Sequence, residues 1–100
     1  MDCRVISAAV DTGGLSQVVS ISSTSAQSSA LSTTGGVAVL VTPTVDCFVR
    51  QGSNPTAVNN GTDMLLLGGN TYRLSGIVNG NKLAFITSGA VGSVYITPGV

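Results

Sequence analysis

The sequence contains no histidine and no tryptophan. Histidine is the side chain whose ordinary pKa lies nearest neutrality, so its absence removes the commonest general base and the commonest nitrogen ligand for a metal. A serine or cysteine nucleophile would depend on Lys82 or an aspartate for activation, and the four acids, Asp2, Asp11, Asp46 and Asp63, are separated by turn residues. Asp46 and Asp63 are the sole pair that folding could join, and surface or ion-pair roles account for them better than catalysis. The chain is expected not to be an enzyme and to use no cofactor, metal or small-molecule substrate.

Charge is scarce as well. Only 8% of the residues are charged and the net charge is zero, against a usual charged share of about 25%. The basic residues Arg4, Arg50, Arg73 and Lys82 form no stripe, so binding to nucleic-acid phosphates is not expected. A surface without repulsive charge associates readily, which favours a homo-oligomer or a docked protein over a free monomer. No apolar run approaches the ~20 residues of a membrane span, and Met1-Asp2-Cys3-Arg4-Val5 does not open like a signal peptide. No membrane association is expected, and synthesis is placed in the cytoplasm. Cys3 and Cys47 have no metal-ligand spacing; a disulfide is open but unforced, and two reduced thiols with Cys47 as a small buried hydrophobe is the simpler reading.

What the chain does have is a hydrophobic share of 43% and thirteen glycines, arranged as short strands punctuated by turns. The clearest stretch is Val45 to Thr56. Val45, Cys47 and Val49 share one face there, and Asp46, Phe48 and Arg50 the other, before Gly52-Ser53-Asn54-Pro55 turns the chain. Val18 to Ile21 suits a half-buried strand. Val37 to Val41 is apolar on both faces, as a central strand requires, and Pro43 ends it.

Ten of the fifteen residues from Ser20 to Thr34 are Ser or Thr, yet Ile21, Ala26, Ala30 and Leu31 interrupt them, so this segment is read as an irregular or edge strand. Later strands are placed at Asp63 to Leu67, Tyr72 to Val78 with a bulge at Gly76, Lys82 to Thr87 and Ser93 to Thr97. Asn79-Gly80-Asn81 is the strongest hairpin signal. No segment has a helical period.

Strands at this spacing predict an all-β fold, an antiparallel β-sandwich or small jelly roll or barrel of about seven to eight strands. Residues 1–22 are assigned to an amino-terminal strand or arm that could reach a neighbouring subunit, and residues 23–100 to the sandwich. Phe48 and Phe85 are taken as core residues by their size.

The runs Asp46-Cys47-Phe48-Val49-Arg50 and Gly52-Ser53-Asn54-Pro55-Thr56-Ala57, followed by Asp63, Lys82-Leu83-Ala84-Phe85-Ile86 and Val94-Tyr95-Ile96-Thr97, resemble a group of small virion proteins of tailed bacteriophages. These are all-β capsid decoration or cement proteins. The resemblance covers about the last seventy residues. The chain departs from the group at Leu66-Leu67-Gly68-Gly69, where Leu-Pro-Ala-Gly is usual, and at Gly80-Asn81-Lys82, where Gly-Asp-Lys is usual.

The resemblance implies a structural protein of the capsid surface that binds the major capsid protein and stabilises the head, as a homo-oligomer with a trimer favoured. Two alternatives remain open at this point: a receptor- or glycan-binding module of a fibre or tail, and a head-completion or tail component. The residues expected to make contacts are Asp46, Arg50, Asn54, Tyr72, Arg73 and Tyr95.

Overall fold

The computed structural model describes residues 16–98. These form eight strands and no helix: β1 (Gln17–Ile21), β2 (Ala26–Gln27), β3 (Val39–Pro43), β4 (Cys47–Gly52), β5 (Met64–Leu66), β6 (Tyr72–Leu74), β7 (Lys82–Ile86) and β8 (Gly92–Pro98). One sheet has the order β1-β8-β3-β6 and the other β2-β7-β4-β5. Every pairing is antiparallel, as expected, although not through the short hairpin-length links between successive strands that would be the simplest route to it.

Short hairpins do not dominate, because only β4 and β5 are both consecutive in the chain and adjacent in a sheet. The pairings are nested instead: β4 with β5, β3 with β6, β2 with β7 and β1 with β8. One long antiparallel ribbon folded over on itself produces this set. The further pairings of β3 with β8 and β4 with β7 knit the folded ribbon into two four-stranded sheets. This is the winding of a jelly roll.

Alternation along each strand fills the space between the sheets. Val19 and Ile21 of β1, Val39 and Val41 of β3, and Val94 and Ile96 of β8 face Cys47 and Val49 of β4, Leu66 of β5, and Leu83 and Phe85 of β7. Val39 and Val41 are fully buried, as an interior strand demands, while Leu40 between them turns outward beside Thr97 and Arg73. Phe85 is the largest fully buried side chain. Burial at about 25 cal/mol per Å² of apolar surface makes this layer the main source of stability.

The Ser/Thr-rich segment is ordered through its few anchors. Ala26 and Gln27 pair with β7 as a two-residue edge strand. Ser28 is buried, and its hydroxyl accepts from Leu83 N–H at 3.0 Å while donating to Ser29 C=O at 2.8 Å. Leu31 enters the core and holds Gly80 and Asn81 through two backbone bonds of 2.8 Å each.

Several local expectations need correction. Asn79-Gly80-Asn81 does not close a hairpin, since β6 and β7 lie in different sheets. A two-residue hairpin turn of the type that favours Asn-Gly requires positive φ at both residues; only Gly80 has it, at 88°. Asn81 N–H bonds to Val78 C=O at 2.9 Å, giving a turn that carries the chain from one sheet to the other. β6 ends at Leu74, and Gly76, at φ 76°, lies in the loop beyond it instead of bulging it. Of residues 1–22, Gln17–Ile21 are an integral strand paired with β8, and residues 1–15 lie outside the described residues.

The loop after β5 is fixed by backbone proximity. A Cβ on Gly68 would sit 2.7 Å from Val45 Cα and 2.8 Å from Val45 C. Gly68→Ala is expected to lower stability by about 1–3 kcal/mol, read as a lower midpoint in urea unfolding with an unchanged slope.

The core thiol gives a second expectation. Burial, and after it the neighbouring Asp46 charge, pushes the Cys47 thiol from 9.0 up to about 11. The unfolded chain therefore loses this proton first as pH rises. Stability is fully present below about pH 9 and falls by up to about 3 kcal/mol by about pH 11. A Cys47→Ala variant should show a smaller decline over that window in urea titrations at each pH.

Candidate interaction surface

The alternation that buries Cys47 and Val49 necessarily turns Asp46, Phe48 and Arg50 outward on the second sheet. Phe48 is thus not a core residue. It is half-buried on the outer face, paired with Leu65 of β5 on one side and Ile86 of β7 on the other. Size argued for the interior, but the period of the strand decides the side, and Phe85 takes the core position instead.

Around Phe48 lies a depression of about 480 Å³ lined by Asp46, Phe48, Leu65, Ser88, Gly89 and Ala90. Its walls are held from behind. The Thr87 hydroxyl donates to Ala90 C=O at 2.5 Å and accepts from Gly89 N–H at 3.2 Å, fixing the turn on one side. On the other, Asp46 Oδ1 accepts from Gly68 N–H at 2.7 Å, which orients the carboxylate. Among the described residues the ion pair belongs to Arg50 and Asp63, so Asp46 has no cationic partner.

Beyond Leu65 the sheet ends at β5, a short edge strand. Met64, Leu65 and Leu67 are each about half exposed there. The adjoining backbone is partly capped, because the Tyr72 hydroxyl accepts from Leu67 N–H at 2.9 Å and Pro43 C=O accepts from Gly69 N–H at 2.8 Å. Capped amides and a three-residue length blunt the edge against open-ended pairing. The side chains remain exposed.

The expected contact residues are divided by the fold. Asp46, Arg50 and Asn54 are exposed around the second sheet, whereas Arg73 and Tyr95 are exposed on the outer face of the first. Tyr95 pairs with Val18 of β1 and Thr42 of β3. Tyr72 packs against the core and closes its own loop.

Arg50 Nε donates to Asp63 Oδ1 at 2.7 Å, and Asp63 Oδ2 accepts from Val58 N–H at 2.8 Å, so this pair clamps the β4–β5 loop. Asn54 accepts from the Gln27 side chain at 2.9 Å and ties the same loop to β2. Sequence reasoning passed over Leu65, Met64 and Leu67 as contact residues. A run of large apolar residues in so short a strand was the available signal.

Comparison with protein-family models, with curated proteins and with solved structures finds no match to this chain.

The clamp generates an asymmetric expectation. The Asp63 side chain is nearly buried and serves two donors, while Arg50 is 43% exposed. Asp63→Ala is expected to destabilise by about 1–3 kcal/mol, since it strands a backbone N–H and a guanidinium. Arg50→Ala should lose less than about 1 kcal/mol. Parallel thermal unfolding of the two variants checks the order.

Proposed function

We propose that this chain is a non-enzymatic virion structural protein of a tailed phage, a capsid decoration or cement protein that binds the major capsid protein and stabilises the head. The observation that carries the reading is the surface of the second sheet. Ile86, Phe48 and Leu65 stand side by side across its outer face, and Met64 and Leu67 are exposed at its edge, on a protein with only 8% charged residues. Solvent-facing strips of this kind mark surfaces that another protein covers.

Three further features support it. The jelly-roll winding is an architecture used by viral capsid domains, which is support by analogy because one fold hosts many functions. The strand and turn residues from Asp46 to Thr97 resemble decoration proteins over the part of the chain that forms β4 to β8. The second exposed face, with Val18 and Tyr95 side by side, offers a separate surface for contact between copies. Two surfaces on opposite sheets suit a cyclic homo-oligomer seated on a shell.

Recombinant protein added to heads that lack it should co-sediment and saturate at a fixed ratio to the capsid protein. Mass spectrometry of purified particles should find the chain. Light scattering should give an oligomer, with a trimer at three times the 9.9 kDa chain mass. Absence from particles, or failure to sediment with heads, would overturn the reading, and selective binding to host-cell glycans would favour an attachment module in its place.

A further inference from the structure

We propose that the depression beside Phe48 receives a cationic side chain, arginine in preference to lysine, presented by the protein partner; the inference rests on the docked-protein reading above. Asp46 carries the charge at this site. Its carboxylate is exposed, held in orientation by Gly68 N–H at 2.7 Å, and unpaired with any cation among the described residues. Phe48 and Leu65 supply an apolar wall beside it, and the exposed turn at Ser88, Gly89 and Ala90 supplies the opposite one.

The chemistry of the lining selects among occupants. A purely apolar side chain would fit the wall but would strip water from Asp46 and leave its charge without a counter-charge, with Gly68 N–H as the hydrogen-bond donor, which is unfavourable. An anion is repelled. A neutral sugar wants converging donors and acceptors, and the lining has one carboxylate, one hydroxyl and no side-chain amide or cation.

A cation satisfies Asp46 and is attracted to the face of an aromatic ring. Guanidinium does both with a flat, multiply donating head that can lie along Phe48 while bonding to the carboxylate, whereas ammonium is a compact, strongly hydrated charge. The space, about 480 Å³, is ample for the head and its methylene stem.

Titrating isotopically labelled protein with N-acetyl-L-arginine amide, and in parallel with its lysine counterpart and a set of methyl glycosides, tests the site by amide chemical shifts. The arginine probe should move Phe48, Gly68 and the 88–90 amides, and do so more tightly than lysine. Asp46→Asn keeps an oxygen for Gly68 N–H while removing the charge, and should weaken the arginine probe at least ~10-fold, about 1.4 kcal/mol. Phe48→Ala, at an outward position, should weaken it further than any change on the first sheet.

Shifts that survive Asp46→Asn, or that appear with glycosides and not with arginine, overturn the proposal. Head binding separates the two readings. Asp46→Asn protein that decorates heads with unchanged affinity overturns this site as the docking point and leaves the decoration reading standing. Wild-type protein that takes the arginine probe here but ignores heads upholds the cation site and overturns the capsid as its source.

Discussion

Most of this structure depends on the alternation of one strand, β4. It is paired on both sides, with β5 and with β7, so its pleat sets the side on which each neighbour's residues fall. Cys47 and Val49 point into the core while Asp46, Phe48 and Arg50 point out. A slip of one residue would exchange the two sets, exposing Cys47 and Val49 and burying two charges. The same register that secures the core therefore builds the outer face, and the apolar strip and its lone carboxylate come from the positions the core cannot use.

The nested winding sets how the loops must behave. When β1 pairs with β8 and β2 with β7, most contacts join residues far apart in the chain, and loop closure must precede the contacts that reward it. Loops in such a fold are held by specific ties. The β4–β5 loop is fastened by Arg50, Asp63 and Asn54, the β5–β6 loop by Asp46, Tyr72 and Pro43, and the crossing from β6 to β7 by Leu31. Much of the small stock of charged and aromatic residues is used in this way. Arg50 and Tyr72, named among the expected contact residues, serve as ties of this kind.

Scarcity of charge then shapes the surface. Solvent on the first sheet is met largely by hydroxyl-bearing residues, among them Ser20, Thr42 and Thr97, with Val18 and Tyr95 exposed between them. On the second sheet the outer face is apolar from Ile86 across Phe48 to Leu65, with Met64 exposed at the edge strand. Association of such faces is driven by removing apolar area from water and is hardly opposed by long-range repulsion. A single carboxylate beside that strip, Asp46, dominates the local charge more than it would on a crowded charged surface.

Period-two patterning was enough, by itself, to determine an all-β protein, the strands near β1, β3, β4, β5, β7 and β8, and the inward set of Cys47 and Val49. Those features follow from side chains within a few residues of one another, where alternation and turn chemistry act directly. Tertiary structure alone decided which strands became neighbours. It turned Asn79-Gly80 into a crossing between sheets, sent Tyr72 inward, chose Asp63 as the partner of Arg50, and put Arg73 and Tyr95 on a different face from Asp46. Strand neighbours are chosen by long-range packing of whole faces, and no window of local sequence contains both partners of a nested pair such as β1 and β8.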